Sequence, residues 1–452
     1  MEWKRGRKAG FGVLFLVGVV LVSSGRAAPI PQGDTQVSPL PELNIKLGIQ
    51  YRVMYNASNL PGPGGTTVTD TKGYDFFRQR LRLNVEFQPV EQAGGFAQLE
   101  FRGGWGGTAP DFSDPRDSEP TLNPFNRLQA RGVRYGYLYA TPAEGHTLAA
   151  GILPTSDQVG DTLFSADWDF NVGGIAYLGK WGPLEYRLAY LRPVETVNSE
   201  FQEDLWRDGH LAIGDVKIEF DAVKVGLHVY YLSIGKVEDP GASPALRAGR
   251  TNEGWYGLTA SGHLGPAALN GFFMVNTGRF FGSARHTGYA VKAEGSLPLG
   301  PVTGSLLFLF TTGDPDPTKP EDRFVTIQEL VGTQGYWAYT HLFTANGPSD
   351  VNDLGVRISN GGSGLWTVQG KLSAPLFKGV GGDLIGGWFQ AEEKNPATNA
   401  SYLGTEVAGM LTLEVAKQTV LQVGAAGAFL GDFLAKKAEN LYEVFSRFQL
   451  QF

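Results

Sequence analysis

Hydrophobic and polar residues alternate with a period of two along most of the chain that follows residue 42. In the stretch LNIKLGIQYRVMY, residues 43–55, every odd position is apolar or aromatic, whereas Lys46 and Arg52 stand at even positions. A period of two places successive side chains on opposite faces of a β-strand. Segments of about 10 residues that alternate in this way, separated by turns and loops, are typical of transmembrane β-barrels.

The alternation predicts an all-β chain that forms a transmembrane, antiparallel, up-and-down β-barrel of about 18 strands. A barrel of about 16 strands stays an alternative, because one merged hairpin would keep the strand count even. The predicted strands are 43–55, 75–88, 95–106, 129–140, 146–154, 172–180, 184–193, 210–220, 223–234, 254–264, 267–277, 287–297, 302–312, 364–375, 383–391, 402–415, 419–430 and 441–452.

The links between these strands alternate between long and short. Along the chain, long links such as KVEDPGASPALRAGRTNE alternate with short links such as TPAEG and KQT. Outer-membrane barrels have short periplasmic turns and longer external loops. The barrel is therefore expected to occupy residues 43–452, with both of its ends on the periplasmic side.

The first 27 residues have the three parts of a secretory signal peptide. A basic opening, MEWKRGRK, precedes the apolar run FGVLFLVGVVLV and the small residues SSGRAA. The apolar run is shorter than the roughly 20 residues that a spanning helix needs. Residues 28–42 are rich in proline and are predicted to form an extended periplasmic tether. The sequence therefore predicts export to the bacterial outer membrane.

Composition excludes several classes of function. The formal net charge is −7, with 45 acidic and 38 basic residues, which argues against nucleic acid as a partner. The chain contains no cysteine, so it has no disulfides, no thiolate metal sites and no covalently attached haem. No stretch after the signal peptide is long and apolar enough for a spanning helix, so only a closed barrel could cross a membrane.

One predicted link, residues 313–363, is much longer than the others. Loops of this size are usually functional or irregular. The sequence leaves three placements open for this predicted external loop: inside the pore, across its mouth as a lid, or outside as a decoration.

The chain ends in LYEVFSRFQLQF, whose last strand finishes on the aromatic residue Phe452. This ending resembles the C-terminal signal by which the bacterial outer-membrane assembly machinery recognises barrels. The predicted partners are therefore outer-membrane lipid, that machinery and an anionic or small solute, and a periplasmic or cytochrome partner stays open.

Arg78, Arg80 and Arg82 stand at successive alternate positions of YDFFRQRLRLNVEF, residues 74–87. An arginine facing lipid near the bilayer midplane costs about 2–4 kcal/mol, so the basic face is expected to line the lumen. A cationic lumen draws in anions, and guanidinium groups suit carboxylates and phosphates. Ion pairs with Glu86 and Glu100 offer a purely structural alternative. The predicted pore-lining and anion-binding residues are Lys46, Arg52, Arg78, Arg80, Arg82, Arg102, Arg134 and Arg187.

Three blocks of the sequence resemble the alginate-export family of outer-membrane porins. The blocks are FFRQRLRLNVEF, LAAGILPTSDQVGDTLFSADWDF and LGTEVAGMLTLEVAKQTVLQVGAAGAFLGDFL. Members of that family are eighteen-stranded barrels whose arginine-rich lumen passes an anionic polysaccharide. Where members commonly carry arginine and glutamine after the glycine of the second block, this chain has Ile152 and Leu153. The resemblance implies anion contact by Arg78, Arg80 and Arg82.

We therefore expect a porin that allows diffusion or export of small or anionic solutes. An enzyme is not expected, because the six histidines have no catalytic partner at a recognisable spacing. No cofactor and no metal are predicted, since the aspartates of GDPDPTKPED do not fit a calcium loop. The alternative is a barrel that sheathes a partner protein, such as a multihaem cytochrome in an outer-membrane conduit.

Overall fold

The structure of the 452-residue chain is a computed structural model. The predicted signal peptide (1–27) and tether (28–42) lie outside the described residues. The structure describes residues 44–60, 68–69, 71, 73–105, 129–167, 169–194, 209–235, 249–280, 285–314, 322–327, 336–344 and 353–452.

Within these described residues, eighteen β-strands form one antiparallel sheet in which each strand pairs with the next strand of the chain, and β1 also pairs with β18. The prediction of an all-β antiparallel barrel with 18 strands is confirmed, and the count is not 16. The strands are β1 (Asn44–Ser58), β2 (Tyr74–Val90), β3 (Ala93–Gly104), β4 (Gln129–Ala143), β5 (His146–Pro154), β6 (Asn171–Trp181), β7 (Leu184–Val194), β8 (Gly209–Phe220), β9 (Val223–Ile234), β10 (Thr251–Leu264), β11 (Ala267–Arg279), β12 (His286–Leu299), β13 (Val302–Thr311), β14 (Leu365–Phe377), β15 (Val380–Gln390), β16 (Tyr402–Ala416), β17 (Thr419–Leu430) and β18 (Leu441–Gln451).

The first and last strands form the seam that closes the barrel. Tyr51 on β1 stands opposite Leu450 on β18. At the end of the seam, the N–H of Ile49 donates to the carbonyl oxygen of Phe452 at 2.7 Å, and the N–H of Phe452 donates back at 3.0 Å. A closed sheet leaves no edge strand with unpaired backbone groups.

The two faces of the wall differ as the alternation predicts. Large apolar side chains such as Leu47 and Leu138 are exposed on the outer face, at 73% and 63%. Charged residues of the same strands, including Arg52 and Arg134, are buried on the inner face. The described residues contain no helix with the length and apolar character needed to cross a bilayer.

One side of the interior is apolar because part of the chain packs against it. We call residues 322–327, 336–344 and 353–360 the β13–β14 segment. Its Phe343 stacks on Phe389 of β15 with 4.4 Å between ring centroids, and both residues are fully buried. The indole N–H of Trp255 on β10 donates to the carbonyl oxygen of Val325 at 2.8 Å. These parts of the long link therefore lie against the inner side of the wall.

Candidate functional site: the arginine-lined side of the lumen

Three arginines of neighbouring strands form one row across the inner face. The register places Arg52 on β1 directly opposite Arg80 on β2, and Arg80 directly opposite Arg102 on β3. We call these three residues the arginine row. Neighbouring strands lie about 4.8 Å apart, so the guanidinium groups leave the wall at that spacing. Like charges in opposed positions repel each other, so the row favours anions or polar acceptors beside it.

Arg78 and Arg82 extend this basic surface along β2, on either side of the arginine row. Arg78 stands opposite Met54, and Arg82 stands opposite Gln50 and Glu100. Both arginines are buried, with 5% and 7% of their surface exposed. The strands β1 to β3 therefore present a packed basic surface rather than isolated cations.

Glu100 on β3 is the acid at the centre of the basic surface. Its Oε2 lies 2.5 Å from Nε of Arg82, and its Oε1 also contacts Nε of Arg102. Nε of Arg134 lies 3.8 Å from the same carboxylate. The ion pairs that the sequence offered as a structural alternative are thus present here, with one carboxylate shared by three guanidinium groups.

Arg134 reaches Glu100 because β4 contains a β-bulge. Gln98 on β3 pairs with Tyr135, whereas the next residue, Leu99, pairs with Val133, so Arg134 is the extra residue. Val133 is half-exposed on the outer face, while Arg134 and Tyr135 are both buried inside. A bulge redirects a side chain in this way. The sequence placed Arg134 in the lumen, but its alternation did not show the bulge that puts it there.

Residues 155–167, 169 and 170, which we call the β5–β6 segment, fold back into the barrel. Leu163 and Phe164 are fully buried, and the ring of Phe164 meets Tyr230 of β9 edge-on at 5.5 Å between centroids. Gly160 lies near the ammonium group of Lys292 on β12, which a Cβ at this glycine would approach to 3.7 Å. The segment therefore crosses the lumen and narrows it.

Asp169 fastens the end of the β5–β6 segment to the basic surface. Its carboxylate oxygens lie 2.7 Å from Nε of Arg134 and 3.1 Å from Nη2 of Arg102. Arg134 also donates to the carbonyl oxygen of Ala166 at 2.6 Å. Partial burial favours the neutral acid, but the two arginine charges outweigh it and lower the pKa of Asp169 to about 2. The carboxylate is therefore ionised at neutral pH.

Arg187 on β7 lies apart from the arginine row and fastens the start of the same segment. Its Nη1 donates to the carbonyl oxygen of Ser156 at 2.8 Å, and its Nε lies 2.5 Å from Asp215 on β8. The hydroxyl of Tyr230 also donates to Asp215, at 2.7 Å. The β5–β6 segment is thus held from two sides of the barrel.

Asp215 belongs to a chain of contacts that also includes a histidine and a threonine. Nδ1 of His228 lies 2.6 Å from Asp215, and Nε2 of His228 lies 2.8 Å from the hydroxyl of Thr259. Sequence spacing does not indicate a partner for this histidine, because the register of three strands brings the groups together. His228 is fully buried and Asp215 already binds Arg187, so the contacts brace the wall.

The turn of the β5–β6 segment is organised by Asp157. Its carboxylate accepts hydrogen bonds from the N–H groups of Val159 at 2.9 Å, Leu163 at 2.5 Å and Phe164 at 3.1 Å. Burial, together with the charge of Asp157, raises the pKa of the nearby Asp161 to about 7. The segment therefore contains an acid that titrates near neutral pH.

Glu406 on β16 holds the β13–β14 segment to the opposite side of the wall. Its fully buried carboxylate accepts hydrogen bonds from the N–H groups of His341 at 2.6 Å, Leu342 at 3.0 Å and Phe343 at 2.9 Å. The hydroxyl of Tyr339 donates to Glu294 at 2.6 Å. Both inner segments are therefore fixed by acids that the sequence analysis did not single out for this role.

The structure brings most of the predicted pore-lining residues together and separates two of them. Lys46, near the start of β1, has a side chain that is 60% exposed and pairs with Glu86 at 3.3 Å. Arg187 lies on β7, as described above. The remaining six form one surface with Glu100 and Asp169: Arg52, Arg78, Arg80, Arg82, Arg102 and Arg134.

Comparison with known proteins reveals similarity of fold. No protein-family model matches this chain, and no curated protein matches it either. Solved structures of several Pseudomonas aeruginosa proteins do match this chain, over nearly the whole length of those proteins. OccK5 (OpdH) is 12% identical, with 92% of this chain and 100% of that chain covered and a TM-score of 0.55.

Two further matches concern one protein of the same organism. The structure of the outer membrane protein OpdK is 12% identical and covers 90% of this chain and 99% of its own, with a TM-score of 0.55. OpdK with vanillate is 13% identical, with coverage of 90% and 98% and a TM-score of 0.54. At this identity the likeness shows a shared barrel fold.

Proposed function

We propose that the protein is a bacterial outer-membrane porin through which small anionic solutes diffuse along the arginine-lined side of the lumen. The observation that carries the proposal is the arginine row, in which three guanidinium groups stand in directly opposed positions of one closed barrel. A cationic wall raises the local concentration of anions. Guanidinium groups bind carboxylates and phosphates through two parallel hydrogen bonds.

The apolar outer face and the fold support a place in the outer membrane. Exposed leucine, valine and phenylalanine side chains cover the outside of the strands, as contact with lipid requires. The fold is shared with an outer membrane protein, OpdK. The predicted signal peptide would deliver the chain to that compartment.

The inner segments support a small solute rather than a polymer or a protein. The β5–β6 segment reaches Lys292 on β12, and the β13–β14 segment packs on the wall at Trp255 of β10, Phe389 of β15 and Glu406 of β16. Both segments occupy space inside the barrel that an enclosed partner would need. OpdK has been solved with vanillate, which is a small carboxylate, and a carboxylate is the anion that paired guanidinium groups suit.

The test is the ion selectivity of single channels in a planar bilayer, read as the reversal potential in a KCl gradient. We expect the wild-type channel to prefer anions and the variant R52Q/R80Q to lose much of that preference. Arg82 is left intact because its loss would deprive the buried Glu100 of an ion pair. K417Q is the control, since Lys417 lies exposed in the turn between β16 and β17.

The outcomes distinguish two claims, that the barrel conducts ions and that the arginine row sets its selectivity. An anion preference that stays the same in R52Q/R80Q would remove the arginine row from the proposal. A correctly folded wild-type barrel without any conductance would remove the channel itself.

A further inference from the structure

A row of polar residues crosses the outer face of the barrel near one end of β8 to β11. The register places His210 opposite Ser233, which in turn stands opposite Asn252. Asn252 stands opposite Arg279. Asn252 and Arg279 are exposed, whereas Glu253, the next residue after Asn252, is fully buried on the inner face. We call His210, Ser233, Asn252 and Arg279 the outer polar row, and it lies outside the lumen.

The outer polar row lies at the end of the barrel that carries the long links. Residues 195–208 join β7 to β8 and residues 235–250 join β9 to β10 at this end. At the opposite end, residues 221–222 and 265–266 form turns of two residues each. Outer-membrane barrels have long external loops and short periplasmic turns. The row therefore faces the outer leaflet of the membrane in which we propose that the protein lies.

Exposed tyrosines lie on the membrane side of the outer polar row. Tyr256 on β10 and Tyr289 on β12 both stand opposite Val275 of β11, four residues before Arg279. A strand rises about 3.3 Å per residue, so Arg279 lies about 13 Å further along β11. Outer-membrane barrels carry girdles of aromatic residues at the two interfaces of the bilayer. The row therefore lies at the level of the lipid headgroups, beyond the tyrosines.

Two exposed arginines stand side by side at the end of the outer polar row. Arg279 follows Gly278 and Arg285 precedes His286, and the register pairs Gly278 with His286. Neighbouring strands lie about 4.8 Å apart, so the two guanidinium groups start from adjacent positions. Like charges in such positions repel each other, and an anion bound between them removes the repulsion. A third exposed arginine, Arg250, directly precedes β10.

The acidic residues of the same strands all lie on the inner face. Those of β8 to β12 are Asp215, Glu219, Glu253 and Glu294. Asp215 and Glu253 are buried, and Glu294 accepts the hydrogen bond of Tyr339 inside the barrel. Glu219 lies four residues after Asp215 in the same strand and so shares its face. The strands β8 to β12 therefore offer no carboxylate to the arginines on their outer face.

Asn252 is held in place between the tyrosines and the arginines. Its Oδ1 lies 3.1 Å from the hydroxyl of Ser233 and 3.5 Å from the hydroxyl of Tyr231. Tyr231 is itself exposed on the outer face of β9. The amide NH₂ group of Asn252 can donate to an anion that lies beside Arg279. The row thus combines charged and neutral donors at one level of the wall.

We infer that Asn252, Arg279 and Arg285 form a binding site for the phosphate groups of lipopolysaccharide, the glycolipid of the outer leaflet. Guanidinium groups bind phosphate through two parallel hydrogen bonds, and basic residues beside a membrane attract anionic headgroups. The glycolipid carries its phosphates next to its acyl chains. Exposed apolar residues on the membrane side of the row, such as Leu258 and Phe273, face those chains. The inference rests on the proposed place in the outer membrane, but not on the proposed selectivity of the channel.

The test compares two forms of one lipid. Lipid A with its phosphate groups, or lipid A from which they have been removed, is added to the full-length barrel in detergent, and native mass spectrometry measures the bound lipid. We expect the wild type to bind the phosphorylated form at least about tenfold more tightly, and R279Q/R285Q to lose that preference. K378Q/K417Q is the control, because it removes two exposed charges from turns at the opposite end of the barrel.

Three results would contradict the inference. A folded wild type that binds both forms of lipid A equally would overturn the phosphate site, and so would an unchanged preference in R279Q/R285Q. Equally tight binding of phosphatidylglycerol would overturn the assignment to the glycolipid. If R279Q/R285Q fails to fold, R285Q alone, which lies outside the strands, should still reduce the preference severalfold.

The same variants keep this test separate from the test of the channel. Arg279 and Arg285 lie outside the lumen, so the reversal potential of R279Q/R285Q in a KCl gradient should equal that of the wild type. A barrel that conducts but shows no preference for phosphorylated lipid A would remove the lipid site alone. A barrel that binds phosphorylated lipid A but does not conduct would remove the channel and keep the lipid site.

Discussion

At the scale of single residues, the carboxylate of Glu100 offsets part of the positive charge on the arginine-lined side. Glu100 contacts Arg82 and Arg102 directly and lies 3.8 Å from Arg134. Removing one partner of a buried ion pair costs on the order of 3–5 kcal/mol, because the other charge stays buried. The sequence predicts Glu100 as an ion-pair partner for the arginines, since this residue lies on the inward face of β3. It does not show how many arginines share the carboxylate.

Asp161 makes the β5–β6 segment sensitive to pH. Its pKa is raised to about 7 by burial and by the charge of Asp157, whereas an aspartate in an unfolded chain has a pKa of about 3.9. Between about pH 4 and pH 7 the folded state keeps a proton that the unfolded state has lost. The stability of the folded state therefore falls as the pH rises through this interval and stays constant above it.

We expect Asp161→Asn to be more stable than the wild type at pH 8 and nearly equal to it at pH 4. The gain is on the order of 2 kcal/mol after allowance for water in the lumen. Asparagine tolerates the φ of 56° that this position adopts. The measurement is the unfolding temperature in detergent at both pH values. Asp167→Asn, at an exposed position of the same segment, is the control, and an equal gain there would contradict the assignment.

At the scale of elements, the sequence predicted the strands well because alternation is a local property. The observed strand ends all lie within three residues of the predicted ones. The bulge that turns Arg134 inward was not predicted, because it depends on how β4 pairs with β3. The β5–β6 segment could have been suspected from Val159, Leu163 and Phe164, since apolar residues in a long link need something to pack against.

Glu406 offers a test of how the β13–β14 segment is held. Glutamine at this position keeps the shape but loses the charge and one acceptor oxygen for the N–H groups of residues 341–343. A hydrogen bond to a charged group contributes about 1.5–3 kcal/mol. We therefore expect Glu406→Gln to speed amide hydrogen exchange in residues 336–344 by about tenfold or more.

The matched control for this test is Glu414→Gln, which removes the same charge from an exposed position of the same strand. Hydrogen exchange followed by mass spectrometry reports on both variants. Exchange that is unchanged in Glu406→Gln, or equally fast in both variants, would show that Glu406 does not anchor the segment.

At the scale of the whole molecule, the fold could be predicted but the contents of the barrel could not. An even number of alternating segments with long and short links leaves few choices besides a closed barrel. The apolar inner side from β10 to β17 breaks the rule of a polar lumen, because the chain's own link packs on residues such as Trp255 and Phe389. Local patterns of hydrophobic and polar residues do not predict contacts between distant parts of the chain.

Substitution of Phe452 tests the prediction that the outer-membrane assembly machinery recognises the last strand. Its backbone closes the seam with Ile49, and its ring is 55% exposed. Phe452→Ala keeps both backbone hydrogen bonds and removes the ring. We expect fewer folded barrels in cells but a normal yield of refolding in detergent, measured by the shift of unheated protein on gels. Phe448→Ala, which removes another exposed ring of β18, is the control. Equal yields of the two variants in cells would remove the special role of Phe452.

The two inner segments make the free width of the lumen independent of the circumference of the barrel. Eighteen strands fix the circumference, whereas the width left for a solute depends on links that add nothing to the seam or to the strand register. Each link is secured by a few side chains, such as Asp169 for one and Glu406 for the other. Under the proposed channel function, changes within a link would therefore alter which solutes pass, whereas the wall of the barrel would stay the same.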